Sequence, residues 1–146
     1  MVTLYTIGFT KKTLEAFLSL LKENKITKVV DIRRNRNSQL SGFAKERDLQ
    51  YILETFLGIK YEVNEELAPP EGLLKDYQKN KDWEKYELAF NQLIKDRKLE
   101  KFKESILTDK ERICFLCSES EASKCHRRLI SEFFKSLGNN ISIKHL

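Results

Sequence analysis

The chain has 146 residues, of which 40% are hydrophobic and 34% charged, with 27 Lys+Arg against 22 Asp+Glu for a formal net charge of +5. That length fits one domain of roughly 100–200 residues, and such a chain buries about two-thirds of its unfolded surface, so it needs no disulfide or metal to fold. With only 2 Pro and 5 Gly, a disordered or collagen-like chain is excluded.

No apolar run approaches the ~20 residues that span a bilayer, and residues 1–7 lack the basic and apolar regions of a secretory signal. The 3 cysteines are an odd count, which suits reduced thiols better than a disulfide framework. A cytoplasmic protein with no membrane partner is expected, and its oligomeric state is not legible.

In chain order, the apolar run at residues 4–7 reads as a strand stopped by Gly8. Leu14, Phe17, Leu18 and Leu21, spaced three and four apart, predict an amphipathic helix over 12–22 with Thr10 or Thr13 as N-cap. The β-branched run 28–32 predicts a second strand, running into Arg33, Arg34 and Arg36. Asn, Ser and Gly make 33–44 a loop. Leu49, Ile52, Leu53 and Phe56 place a helix over 45–56, ended by Gly58, and 59–63 is a brief strand.

Pro69-Pro70 makes 64–72 a loop, because proline fixes φ and lacks an N–H donor. Residues 73–108 read as helix in two or three pieces, carrying Trp83, Tyr86, Phe90 and Ile94. The run 113–117 is wholly apolar, as in a strand covered on both faces. A polar turn leads to a helix over 124–137, capped at Gly138 and the following Asn139-Asn140, and 141–144 is the last strand. The expected fold is a single α/β domain over 1–146: a mostly parallel sheet of about five strands, flanked by helices, with a helical insertion in mid-chain.

In such sheets ligands bind beyond the carboxyl ends of the strands, and most polar and reactive groups of this chain fall there. Asp31 and Arg33, two apart, share one side of a strand end. They suit an acid/base paired with an anion clamp, or a structural ion pair. Lys124, Arg127 and Arg128 form a second basic cluster around Cys125-His126. If the two preceding strands are neighbours, the clusters converge on a phosphate-bearing partner.

Cys114, Cys117, Cys125 and His126 have the donor types of a zinc site. However, Cys114 and Cys117, three apart in a strand, point to opposite faces, and Cys114 reads as a small core hydrophobe. Cys117 sits at a strand end ahead of a helix whose N-terminal amides favour a thiolate. It is a nucleophile with His126 as base or hydrogen-bond partner, or else a buried cysteine beside a capping histidine. A phosphatase-type loop would need Arg six positions after Cys117, where Ser123 stands. Glu119 is a further carboxylate candidate or a solvated turn residue. P-loop, dinucleotide and zincin motifs are missing, so no cofactor is implied. Phe9, Phe43 and Tyr51 are candidates for stacking on a base, with core packing the safer reading for at least Tyr51.

The ordered set Thr6-Ile7-Gly8, Asp31-Ile32-Arg33 with Ser38, Gly42 and Phe43, Cys117-x-Glu119, Cys125-His126-Arg127 and Ile143-Lys144-His145 resembles the domain of unknown function 488 family nearly end to end. The resemblance implies a compact α/β fold with these motifs in one pocket, and no particular reaction. Arg36 stands where the family usually has proline, and Gln39 where it usually has arginine.

The leading expectation is an enzyme or enzyme-like pocket for a phosphate-bearing small molecule, nucleotide or nucleic acid. Cys117 would be the nucleophile or a ligand contact, with Asp31, Glu119 and His126 as proton-transfer candidates. Arg33 and Arg127 would contact the anion, with Thr6, Gly8, Ser38 and Cys125 as further ligand contacts and no metal. A non-catalytic nucleic-acid-binding module and a zinc-stabilised structural domain are the alternatives.

Overall fold

The structure is a computed structural model that describes residues 1–37 and 39–146, and of residues 39–41 the backbone only. Among the described residues five strands, β1 (Val2–Gly8), β2 (Lys28–Asp31), β3 (Lys60–Val63), β4 (Ile113–Cys117) and β5 (Ile141–His145), form one sheet in the order β3-β2-β4-β1-β5. Every pairing is parallel. β4 lies at the centre and is buried along its whole length, which is why it carries no polar alternation. Edge strands β3 and β5 carry Lys60, Glu62 and Lys144, charges that discourage pairing with another chain.

Helices cover both faces. On one side α1 (Leu14–Glu23) and α2 (Glu46–Ile52) pack Phe17, Leu21 and Leu49 against Tyr5, Ile7, Val29, Cys114 and Leu116. On the other, α4 (Trp83–Asp96) and α6 (His126–Ser136) pack Tyr86, Phe90, Leu129 and Phe134 against Leu4, Val30, Ile32 and Phe115. Strand alternation thus sorts successive residues into two cores. Truncating a fully buried phenylalanine such as Phe90 or Phe115 to alanine costs about 3–5 kcal/mol in such a setting. The mid-chain insertion is α3 (Glu71–Asn80), α4 and the short α5 (Lys103–Ile106). α3 begins directly after Pro69-Pro70, and Asp82 caps α4 by accepting the Lys85 N–H at 3.1 Å. No helix of the described residues is long and apolar enough to cross a membrane.

Four local details refine or correct the expectation. Of the two threonines offered as N-cap, Thr13 holds α1, accepting the Ala16 N–H at 3.1 Å. The last helix begins at His126 rather than Lys124, because Cys125 is extended (φ −141°, ψ 142°). The left-handed residue of the following turn is Asn140 (φ 60°), while Gly138 answers to packing, since a Cβ there would stand 3.0 Å from Leu107 Cδ1. Tyr51, expected in the core, is 61% exposed and packs edge-on against Phe56. Phe56, read as part of the apolar stripe, is exposed as well, because the sheet covers only Leu49 and Leu53 of that helix fully.

The topology locates the site. β1 continues through α1 to β2, beyond β4, whereas β4 continues through α6 to β5, beyond β1. The chain therefore leaves these two neighbouring strands in opposite directions, which opens a crevice at their carboxyl ends.

Candidate functional site

The first half of the site grows from the end of β2. Asp31 pairs in register with Leu116 and so faces the α1/α2 side of the sheet. Its carboxylate takes Arg33 in a two-pronged grip, Nε to Oδ1 at 2.9 Å and Nη2 to Oδ2 at 2.7 Å. It also accepts the Arg33 backbone N–H at 3.1 Å and the Tyr61 hydroxyl. Both charged residues are almost wholly buried. Burial works against the Arg33 charge, and the hydrogen bond and charge of Asp31 more than restore it, so the guanidinium stays protonated. Burial, then the Asp31 charge, pushes the Tyr61 phenol up. Arg33 also lies over the Phe9 ring, 5.4 Å from its centroid. One nitrogen, Nη1, is buried without a partner among the described residues. An unpaired guanidinium N–H is costly to bury and is ready to meet an anion in a fixed direction.

The second half comes from β4 and α6. Cys117 pairs in register with Gly8 and projects to the face opposite Asp31. There its sulfur receives the Cys125 thiol at 3.0 Å and meets His126 Nδ1 at 3.5 Å. His126 Nε2 is 2.7 Å from the Ile32 carbonyl. A carbonyl only accepts, so Nε2 carries a proton and Nδ1 faces the sulfur. One proton is then shared along Cys117 Sγ–His126 Nδ1, and the surroundings favour its transfer to the ring. The Cys125 hydrogen bond and then the His126 charge, against the opposing effect of burial, hold the Cys117 thiol well below the ordinary thiol range. Burial alone would lower His126, but the Cys117 charge reverses the direction and raises it. Cys125, acting as donor to Cys117, is pushed up. Cys114 lies fully buried in the opposite core, and burial pushes its thiol up.

The remaining sequence candidates separate into wall and brace. Gly8 is a point of close approach: a Cβ there would lie 1.6 Å from the Glu119 carbonyl oxygen and 2.4 Å from Arg127 Nη1. Arg127 is buried and donates to the Glu119 carbonyl at 2.6 Å and the Ser120 carbonyl at 3.2 Å. Its guanidinium thus fastens the turn after β4 instead of lining the cleft. The Glu119 side chain is exposed at the cleft margin. Thr6 is buried within β1, its hydroxyl 2.5 Å from His145 Nδ1, away from the cleft. Ser38 lies outside the described residues.

Between the two halves lies a cleft of about 1120 Å³ whose lining includes Arg33, Cys117, Cys125 and His126, each nearly buried in its wall. Asp31 is absent from that wall and stands behind Arg33. The cleft also gathers members of both basic clusters, adds Lys11 and Lys81, and brings in aromatics not expected there. Lys11, Arg34, Arg36, Lys81 and Lys124 join Arg33 as cations, facing the carboxylates of Glu119 and Glu121. Tyr77, Trp83 and Tyr86 from α3 and α4 close the far side. Trp83 stacks on Tyr86 at 5.1 Å and receives Arg128 at 5.7 Å. The Tyr86 phenol is pushed up by burial, then by the charges of Cys117 and Cys125. In sequence these aromatics read as helix core, and only the tertiary fold brings the insertion across the strand ends.

Cys117, Cys125 and His126 also present three metal-type donors within 4.8 Å of one another. A zinc site drawing on all three cysteines is not formed, since Cys114 belongs to the other face. Two sulfurs 3.0 Å apart are also closer than the roughly 3.8 Å that two thiolates keep on one tetrahedral zinc with ~2.3 Å bonds. As placed, the pair suits sulfur chemistry better than ligation.

The family model described as "Domain of unknown function DUF488" matches residues 13–134, a span that takes in both halves of the site. The chain belongs to that family. No curated protein and no solved structure gives a match.

Proposed function

We propose that the cleft is an enzyme active site for a phosphate-bearing ligand, a nucleotide or nucleic acid, with Cys117 as its nucleophile. The observation that carries the reading is one cleft lined by both Cys117, paired with His126, and Arg33, whose buried Nη1 has no partner among the described residues. A thiolate beside an imidazolium is an activated nucleophile, and a fixed guanidinium with a free N–H is a directional anion contact. In this reading Asp31 and Tyr61 are positioning residues that hold Arg33. Arg127 is a brace for the turn that carries Glu119, and His126 is the proton carrier.

A non-catalytic nucleic-acid-binding module draws support from the excess of cleft cations over carboxylates. It gives no role to the buried dithiol and imidazole.

The deciding experiment measures alkylation of Cys117 by iodoacetamide, by peptide mapping, with and without inorganic phosphate, mononucleotides and a short single-stranded oligonucleotide. A phosphate-bearing ligand is expected to bind and to slow alkylation of Cys117. Binding that leaves the alkylation rate unchanged would favour the non-catalytic module, and absence of binding to all three probes would overturn the reading.

A further inference from the structure

We propose that Cys117 and Cys125 are a peroxide-oxidisable dithiol, Cys117 the attacking and Cys125 the resolving sulfur, that closes to a reversible intramolecular disulfide. The inference rests on the reactive Cys117 of the site described above and is independent of the phosphate-bearing ligand. Three features of the structure support it.

The sulfurs stand 3.0 Å apart, so reaching a bond of about 2.05 Å asks for an approach of roughly 1 Å and no rearrangement of the sheet. The two residues occupy the last position of β4 and the N-cap of α6, ends of elements where side chains can turn without breaking a ladder or a helical repeat. Both sulfur-bearing residues line the cleft, which gives a small hydroperoxide a route to them, whereas Cys114 is fully buried on the other face.

The steps balance. The Cys117 thiolate attacks one oxygen of a hydroperoxide and the O–O bond breaks. Cys117 becomes a sulfenic acid, and the departing oxygen leaves as an alcohol or water with the proton held at His126 Nδ1. Cys125 then attacks the Cys117 sulfur and the S–O bond breaks. Hydroxide leaves as water, taking the Cys125 proton. Two thiols are oxidised to one disulfide and the hydroperoxide is reduced, with no other reactant. Restoring the thiols takes an external dithiol by exchange. Without the second sulfur, the sulfenic acid is open to further, irreversible oxidation.

The test uses the whole reduced chain, treated with one equivalent of hydrogen peroxide, quenched with N-ethylmaleimide and analysed by intact mass and peptide mapping. The expected product has lost two hydrogens, contains a Cys117–Cys125 linkage, retains Cys114 as its only alkylatable thiol once unfolded, and returns to three thiols with dithiothreitol. In Cys125→Ser the linkage should be absent, and dimedone should trap a sulfenic acid on Cys117. Iodoacetamide labelling of Cys117 in the same samples separates the two ideas. Rapid labelling at neutral pH with no disulfide after peroxide would overturn this inference and leave the nucleophile standing. Neither labelling nor oxidation would overturn both. A linkage through Cys114 or between chains would also overturn it.

Discussion

Gly8 shows how little room the site leaves at the scale of single atoms. Its missing side chain is what lets the turn after β4 press its Glu119 carbonyl, held by Arg127, against the end of β1. Gly8→Ala must move backbone rather than a flexible side chain, so a loss of about 3 kcal/mol or more is expected, at the upper end for single substitutions. Gly72→Ala is the control: a Cβ there meets nothing within 4 Å, and the residue lies in α3. It should be neutral or gain about 0.5–1 kcal/mol, and urea denaturation of the two variants checks both.

Cys117 carries the second residue-scale prediction. Its thiol is held below the ordinary range by Cys125 and then by His126. Since only the thiolate reacts with iodoacetamide, its alkylation should already be fast at neutral pH. The rate should fall only as the pH drops through the lowered value, not near the usual thiol pKa of about 8.5. His126→Gln removes the positive partner and should move that limb upward. A wild-type profile centred at the ordinary thiol pKa would refute the ionised pair. The pairing of these residues was legible from spacing, because Cys117 was picked out at a strand end with His126 as its hydrogen-bond partner, and the two side chains do meet. Asp31's place behind Arg33, and Arg127's role as a brace, depend on partners such as Tyr61 and the Glu119 carbonyl that no local pattern announces.

Among the elements, helix ends show where the sequence departs from the usual rules. With only 5 glycines in the chain, several turns place lysine in the left-handed region, among them Lys25 (φ 54°) after α1 and Lys98 (φ 52°) after α4. Both are exposed. Left-handed backbone costs an L-residue about 1–2 kcal/mol, part of which glycine returns as chain entropy when unfolded. Lys25→Gly and Lys98→Gly should each therefore stabilise the protein by about 0.5–1 kcal/mol, while Gly58→Ala (φ 65°) should destabilise it by a similar amount. Thermal melts of the three variants test the sign directly. The period of apolar residues made the strands and helices readable at nearly their observed bounds. Elements defined by a glycine signal were less so: at Gly138 the glycine serves packing against Leu107, and Asn140 takes the left-handed turn.

For the molecule as a whole, the site depends on the two-sided sheet. Arg33 reaches the cleft from the α1/α2 face and Cys117 from the α4/α6 face, and they meet only because β2 and β4 are neighbours. Sequence showed both strands but not their adjacency. Nor did it show that the insertion would fold over the strand ends, so the basic wall was anticipated and the aromatic wall was not. The cleft's cations also differ in what they can offer. Arg36 is paired with Glu46 and Glu65, and Arg33 is held by Asp31. Lys81 and Lys124 are exposed on the cleft. If a nucleic-acid strand lies here, these two lysines contribute counterion release, and log affinity should fall linearly with log salt. Lys81→Gln and Lys124→Gln should each reduce that slope by about one and weaken binding similarly for every sequence, because a phosphate contact carries no base preference. Oligonucleotide titrations across a series of salt concentrations measure it. A slope unchanged in both variants would place the strand elsewhere on the protein, and a sequence-dependent loss would mean that the lysines reach bases instead of phosphates.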